Sequence, residues 1–172
     1  MPQITIRTSE VFHNTGTYNS NGVACKFLVN QLLALDTELS IAEVTTDTDA
    51  TYSARLKVNG DPGVGFSISN ISTTLAISAG YWNNAGEFLT IANQGYSTSN
   101  FLGYYYSYGT SSPSWYPYLK VTVVGVDGVL KYILFSSSYA STVPYMCYGM
   151  FTSTAYPEPQ YCIGCCNNNS LI

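Results

Sequence analysis

Residues 118–136, YLKVTVVGVDGVLKYILFS, carry the clearest structural signal of the chain. Both arms of this stretch are rich in β-branched and aromatic residues, which favour extended strands. The arms flank Asp127 and Gly128, a pair that favours the positive φ angles of a type I′ turn between antiparallel strands. The stretch therefore predicts a β-hairpin.

Short strand patterns extend over most of the remaining chain. They cover residues 3–12, 41–45, 52–58, 64–72, 73–79, 87–92 and 145–151. Strands that recur about every 8–12 residues are typical of a sandwich or a barrel. The 172 residues suffice for one sizeable core. We therefore predict a single, mainly β domain over residues 1–172, an antiparallel sandwich or barrel-like fold with one N-terminal helix at about residues 23–35.

The predicted helix, VACKFLVNQLLAL, is apolar on almost every side. Such a helix must be covered on most of its surface, and a small β domain usually covers one side only. Residues 21–38 are therefore a possible oligomer interface, although a central core helix explains the same pattern. The residues predicted to lie at that interface are Val23, Phe27, Leu28, Val29, Leu32 and Leu33.

The composition excludes several classes of partner. Charged residues make up 9% of the chain, against about 25% in an ordinary soluble protein. The net charge of −4, with 6 Lys+Arg, leaves no basic patch that could follow a nucleic-acid backbone. The chain has no run of about 18 apolar residues, and its start lacks the pattern of a leader peptide. We expect neither nucleic acid nor a membrane span.

Residues 93–118 form a Tyr/Gly/Ser-rich segment that is predicted to be a loop region. Aromatic side chains beside small polar ones are typical of sugar-binding platforms, and also of protein interfaces that are poor in charge. Ordinary strand residues are a third interpretation. The residues predicted to contact a ligand or partner are Tyr104, Tyr105, Tyr106, Tyr108, Trp115, Tyr116 and Tyr118.

No catalytic motif stands out in the sequence. His13, the only histidine, lies in a turn-rich stretch without a neighbouring nucleophile motif. Acid pairs are available at Asp47 and Asp49 or at Glu38 and Glu43, but these residue types occur in turns for backbone reasons alone. We therefore predict no enzyme and no cofactor, and a glycosidase is the least implausible enzymatic alternative.

Five cysteines raise the question of a metal or a disulfide. Cys25 lies in the predicted helix and is expected to be buried. The four others, Cys147, Cys162, Cys165 and Cys166, are candidates for metal ligation, but they contain only one pair at zinc-ligand spacing. Free thiols rank first, a disulfide in an assembled particle second and zinc last. We predict no metal site.

The chain resembles structural proteins from the virions of tailed bacteriophages. Residues 27–60, an apolar helix that leads into a polar hairpin, carry most of this resemblance, and the aromatic texture of residues 96–118 adds to it. The resemblance implies synthesis in the host cytoplasm, assembly into symmetric oligomers in the virion, and contact with the host surface through exposed loops. Unlike common fibre proteins, the chain has no collagen-like or long coiled-coil stretch.

These observations predict a non-enzymatic virion subunit of the tail or its appendages. Its partners would be copies of itself and other virion proteins, with a host-surface glycan as a further candidate. A capsid decoration or minor head protein is one alternative. A carbohydrate-binding β-sandwich module, with Trp115, Tyr116 and Tyr118 stacked on sugar rings, is another.

Overall fold

A computed structural model describes residues 2–13, 20–60, 63–97, 101–103, 117–138, 143–151 and 160–166. These residues form two antiparallel sheets and one helix, which confirms the predicted mainly β fold. The sheets do not close into a barrel, and the fold is sandwich-like.

The helix begins two residues before the predicted start, and eleven strands occur among the described residues. The elements in chain order are β1 (Ile4–Thr8), β2 (Phe12–His13), α1 (Asn21–Leu35), β3 (Leu39–Asp47), β4 (Tyr52–Val58), β5 (Val64–Ile71), β6 (Thr74–Trp82), β7 (Phe88–Tyr96), β8 (Tyr118–Val126), β9 (Leu130–Ser137), β10 (Tyr145–Phe151) and β11 (Gln160–Cys166).

The predicted hairpin over residues 118–136 is the central pair β8–β9. Asp127 and Gly128 have φ angles of 54° and 70°, as a type I′ turn requires. The Asp127 side chain also accepts a hydrogen bond from the backbone N–H of Gln3 at 2.6 Å. This contact ties the turn to the start of the chain.

The strands form two sheets, one from consecutive strands and one that joins the start of the chain to its later part. Sheet B is a meander in the order β3-β4-β5-β6-β7. Sheet A has the order β1-β8-β9-β10-β11, and β2 also pairs with β8. The N-terminal strand therefore pairs with a strand more than a hundred residues later in the chain, which closes the domain on itself.

The helix lies between the two sheets at one end of the sandwich. It contacts β8 of sheet A and β3, β4 and β5 of sheet B, whereas β11 at the other end contacts β6 and β7 directly. Its N-terminus is held by the Asp49 carbonyl, which accepts the N–H of Gly22 at 2.8 Å. A Cβ on Gly22 would lie 2.3 Å from the Thr48 carbonyl oxygen, so glycine is required for this close approach.

This position corrects the predicted helical interface. The side chains of Leu28, Val29 and Leu32 are fully buried by the chain's own two sheets, and they are core residues. Phe27 and Leu33 are half-buried against that core, and Phe27 stacks on Phe12 with ring centroids 4.6 Å apart. Of the six predicted interface residues, only Val23 is exposed, at 42%. Periodicity could not reveal that two sheets, rather than one, cover the helix.

The predicted loop region 93–118 is partly structured. β7 extends to Tyr96, and Phe101 and Leu102 are fully buried in the core. The Leu102 N–H donates to the Thr73 carbonyl at 3.0 Å, which anchors this part of the segment beside β6. β11 was not predicted, because its sequence QYCIGCC shows no strand alternation.

We expect that replacing Gly128 by valine destabilises the fold by about 1–2 kcal/mol, because a β-branched side chain opposes the positive φ angle of this turn. Urea unfolding followed by circular dichroism measures the change. Gly128→Asn is the matched control, since asparagine tolerates this conformation. Equal losses for the two variants would contradict the assignment of the turn.

Candidate subunit interface

The outward-facing surface of sheet A is apolar. Cross-strand register places Ile6, Val124, Tyr132 and Cys147 in one row across four strands. One flanking row adds Ile4, Val126, Leu130 and Gly149, and the other adds Thr8, Thr122, Leu134 and Tyr145. We call these three rows together the outer face of sheet A. The inward-facing neighbours of these residues, such as Val123 and Ile133, form the core.

Several of these side chains are open to water. Ile4 is 60% exposed, Ile6 is 68% exposed and Tyr132 is 39% exposed. Of the described strand residues that point outward from sheet A, Lys120 alone is charged, and it lies near the start of β8, outside these three rows. An apolar surface that is depleted of charge is characteristic of the centre of a protein–protein interface.

The outer face of sheet B has the opposite character. Its outward positions on β4 and β5 are Ser53, Arg55, Lys57, Ser67 and Ser69. Arg55 forms an ion pair with Glu43 at 2.6 Å, so polar and charged groups cover this side of the sandwich. The outward positions of the described central strands therefore differ, and those of sheet A are the more apolar.

An aromatic groove interrupts the polar face of sheet B. Trp82 lines it together with Glu43, Lys57 and Gly86, and its volume is about 530 Å³. The Phe88 ring meets Trp82 edge-on at 5.1 Å and covers Gly80, where a Cβ would lie 2.4 Å from the ring. The Trp82 indole N–H is buried and has no hydrogen-bond partner among the described residues.

The most elaborate polar cluster lies where α1 ends. Asp36 is fully buried there, and Lys131 contacts its Oδ1 at 2.5 Å while the Tyr148 hydroxyl donates to its Oδ2 at 2.5 Å. Lys131 also reaches Glu38 at 3.0 Å. The Arg7 guanidinium donates to the Leu35 carbonyl at 3.1 Å, where a cation complements the helix dipole.

We interpret this cluster as an anchor that fixes the end of α1 to sheet A. Both carboxylate oxygens of Asp36 are occupied by donors, and the cluster joins the end of α1 to β9 and β10. A cleft of about 290 Å³ opens beside it, lined by Thr5, Arg7, Glu38 and other residues.

Three of the four acids considered from the sequence form ion pairs with basic side chains. Asp47 pairs with Lys26 at 2.6 Å, Glu43 with Arg55 and Glu38 with Lys131. Glu38 and Glu43 therefore contact different basic residues on different strands.

Of the seven predicted contact residues in the aromatic segment, one belongs to the described part of the chain. Tyr104, Tyr105, Tyr106, Tyr108, Trp115 and Tyr116 lie outside the described residues. Tyr118 is described: it is 53% exposed and stacks on His13 with ring centroids 4.3 Å apart. A groove of about 310 Å³ at this pair is lined by Val11, Tyr118 and Lys120, beside the outer face of sheet A. The glycan prediction for Trp115 and Tyr116 therefore stays a prediction.

The cysteines occupy different environments. Cys25 is fully buried, carries a free thiol, and burial raises its pKa to about 12. Cys165 lies on β11, and its thiol donates to the Ile77 carbonyl of sheet B at 3.4 Å. Cys147 lies half-buried on the outer face of sheet A. Cys162 and Cys166 belong to β11, but their side chains are outside the described part.

The described residues contain no cluster of three or more His, Cys, Asp or Glu side chains that could hold a metal ion. They also contain no helix with the length and apolar character needed to cross a membrane.

Comparison of the chain with protein-family models, with curated proteins and with solved structures gives no match. The functional assignment therefore rests on the chain's own surfaces.

Sequence reasoning missed the outer face of sheet A, although a signal for it exists. Both arms of the β8–β9 hairpin are apolar at successive positions, for example Val123 with Val124 and Ile133 with Leu134. A strand covered on both faces reads as such a near-continuous apolar run. The pattern predicts a covering layer on both faces of the hairpin, and among the described residues α1 and sheet B cover its inner face.

We expect Lys131→Met to destabilise the fold by about 3–5 kcal/mol, because it leaves the buried Asp36 carboxylate without its cation. Urea unfolding at neutral pH measures the change. Lys57→Met on the exposed face of sheet B is the control and should change stability by less than about 0.5 kcal/mol. Similar values for the two variants would contradict the anchoring role.

We expect the Cys25 thiol to resist alkylation at pH 8 in the folded chain and to react in urea, because only unfolding exposes and ionises it. Mass spectrometry of the labelled peptide tests this.

The folded pKa of about 12 exceeds the ordinary 9.0, so the thiol's contribution to stability is constant below pH 9 and is lost as the pH rises to about 12. Cys25→Ala removes this loss. Rapid labelling of the folded chain would refute the burial of Cys25.

Proposed function

We propose that the chain is a non-enzymatic structural subunit of a bacteriophage virion, and that it assembles with copies of itself through the outer face of sheet A. One observation carries this proposal: the outer face of sheet A has exposed Ile4, Ile6 and Tyr132 and no charged residue in its three rows, with Lys120 beside it. The strands of sheet B carry Glu43, Asp47, Arg55 and Lys57.

The dimensions of the face suit a subunit contact. Its three rows across four strands cover about 20 Å by 19 Å at ordinary strand rise and spacing. A standard interface takes about 800 Å² of accessible surface from each partner, and the corrugated face supplies a large part of it. A further contact between subunits would complete that area.

A second copy is the occupant that the face fits best. The surface has no charge pattern that would demand a complementary partner, and two apolar faces satisfy each other. In an oligomer, contacts between copies cover much of the apolar surface. A chain with 9% charged residues can then stay in solution.

The placement in a virion rests on the resemblance of residues 27–60. They belong to α1 and the β3–β4 hairpin, so an apolar helix is followed by a polar hairpin. Subunits of tails and appendages form closed, symmetric assemblies, and a self-complementary face supports that kind of assembly.

We expect the parent chain to form a defined oligomer at micromolar concentration and Tyr132→Glu to weaken it roughly hundredfold, because the variant buries an unpaired carboxylate at the contact. Sedimentation velocity over a concentration series measures both. The control is Ser69→Glu, which adds the same charge to the outer face of sheet B and should leave the oligomer intact. A parent chain that stays monomeric, or equal dissociation by both variants, would reject the proposal.

A further inference from the structure

Strand β1 lies at the edge of sheet A, and the side chains on both of its faces are exposed. All five residues from Ile4 to Thr8 are exposed, and β8 is the strand that pairs with β1. Within the described residues, no strand pairs with the opposite edge of β1. An edge of this kind presents unpaired N–H and carbonyl groups to another strand.

The hydrogen bonds at both ends of β1 fix which groups point to that free edge. The Ser9 N–H donates to the Val121 carbonyl at 2.8 Å, and the Asp127 N–H donates to the Gln3 carbonyl at 2.8 Å. Antiparallel ladders alternate between bonded and non-bonded pairs. The odd-numbered residues therefore bond to β8, and the backbone groups of Ile4, Ile6 and Thr8 point outward.

We propose that β1 pairs antiparallel with β1 of a second copy of this chain, across a two-fold axis beside Ile6. The inference rests on the proposed self-association and names a second contact that extends it. In this register Ile6 faces Ile6 of the second copy, and Ile4 and Thr8 face each other. Each outward-pointing residue then exchanges two hydrogen bonds, about six in all.

The side chains of β1 are compatible with this register. Arg7 faces Thr5 of the second copy, so the two cations are not directly opposed, and the guanidinium is already directed to the Leu35 carbonyl. Between Ile4 and Thr8 the strand has no proline, lysine or bulge, and its one charged side chain, Arg7, donates to the Leu35 carbonyl of its own chain. Pro2, which lacks an N–H, lies before the paired part.

A second copy is favoured over an unrelated strand because the pairing extends the outer face of sheet A. Ile4 and Ile6 point to that face, and the two-fold places their counterparts from the second copy beside them. The two sheets become one continuous sheet, and the apolar surface is doubled without a new charge. The edge contact also supplies the additional interface area that a face contact alone lacks.

Amide hydrogen exchange followed by NMR tests the pairing on the unmodified chain. At concentrations where the chain is associated, we expect the amides of Ile4, Ile6 and Thr8 to be protected roughly hundredfold relative to dilute, monomeric chain. The amides of Thr5 and Arg7, which bond to β8, should be protected in both samples. Free exchange of the three even-numbered amides in the oligomer would overturn the pairing.

A pair of variants separates the backbone contact from side-chain burial. Ile6→Pro removes an outward N–H without removing a bond to β8, and proline is tolerated at such edge positions. Ile6→Thr keeps the N–H and removes the apolar side chain. We expect Ile6→Pro to weaken association at least roughly tenfold more than Ile6→Thr, as sedimentation velocity would measure. Protected amides at Thr5 and Arg7 verify that β1 stays docked.

The outcomes distinguish this inference from the proposed function. If the parent chain associates, Tyr132→Glu dissociates it, and the two Ile6 variants behave alike, then the edge pairing is wrong and the face contact stands. If the parent chain is monomeric at every concentration, the proposed function fails and the edge pairing fails with it.

Discussion

A β-strand sends successive side chains to opposite faces of its sheet, and the β8–β9 hairpin is apolar on both. The rest of the structure follows from this constraint. Val123 and Ile133 face inward, where α1 and sheet B bury them. The same strands turn Val124 and Tyr132 outward, where the described chain provides no second layer. The hairpin thus contributes both to the core and to the apolar outer face of sheet A.

Local signals predicted the elements whose residues interact with close sequence neighbours. The Asp127-Gly128 turn, the β3–β4 hairpin and the helix fall in this group, because turn chemistry and periodicity act over a few residues. The pairing of β1 with β8 joins residues that lie more than a hundred positions apart, and no local pattern encodes it. The burial of Leu28 between two sheets depends on that pairing, which explains why the helix was predicted to be a possible interface.

The scarce charges of the chain serve mainly its own fold. Lys26, Arg55 and Lys131 form ion pairs, and Arg7 caps the end of α1. Asp36 connects this helix end to β9 and β10 through Lys131 and Tyr148. The Lys26–Asp47 and Arg55–Glu43 pairs remain partly exposed, whereas Asp36 and most of Lys131 are removed from the surface.

The difference between the two outer faces bears on how far the proposed assembly extends. Sheet A offers an apolar face, whereas the outer face of sheet B carries serines, Lys57 and the Arg55–Glu43 pair. In the proposed assembly, two copies bury sheet A against each other and leave their sheet B faces outward, so this contact joins two layers. A contact that closes on itself gives a defined oligomer rather than an open fibre.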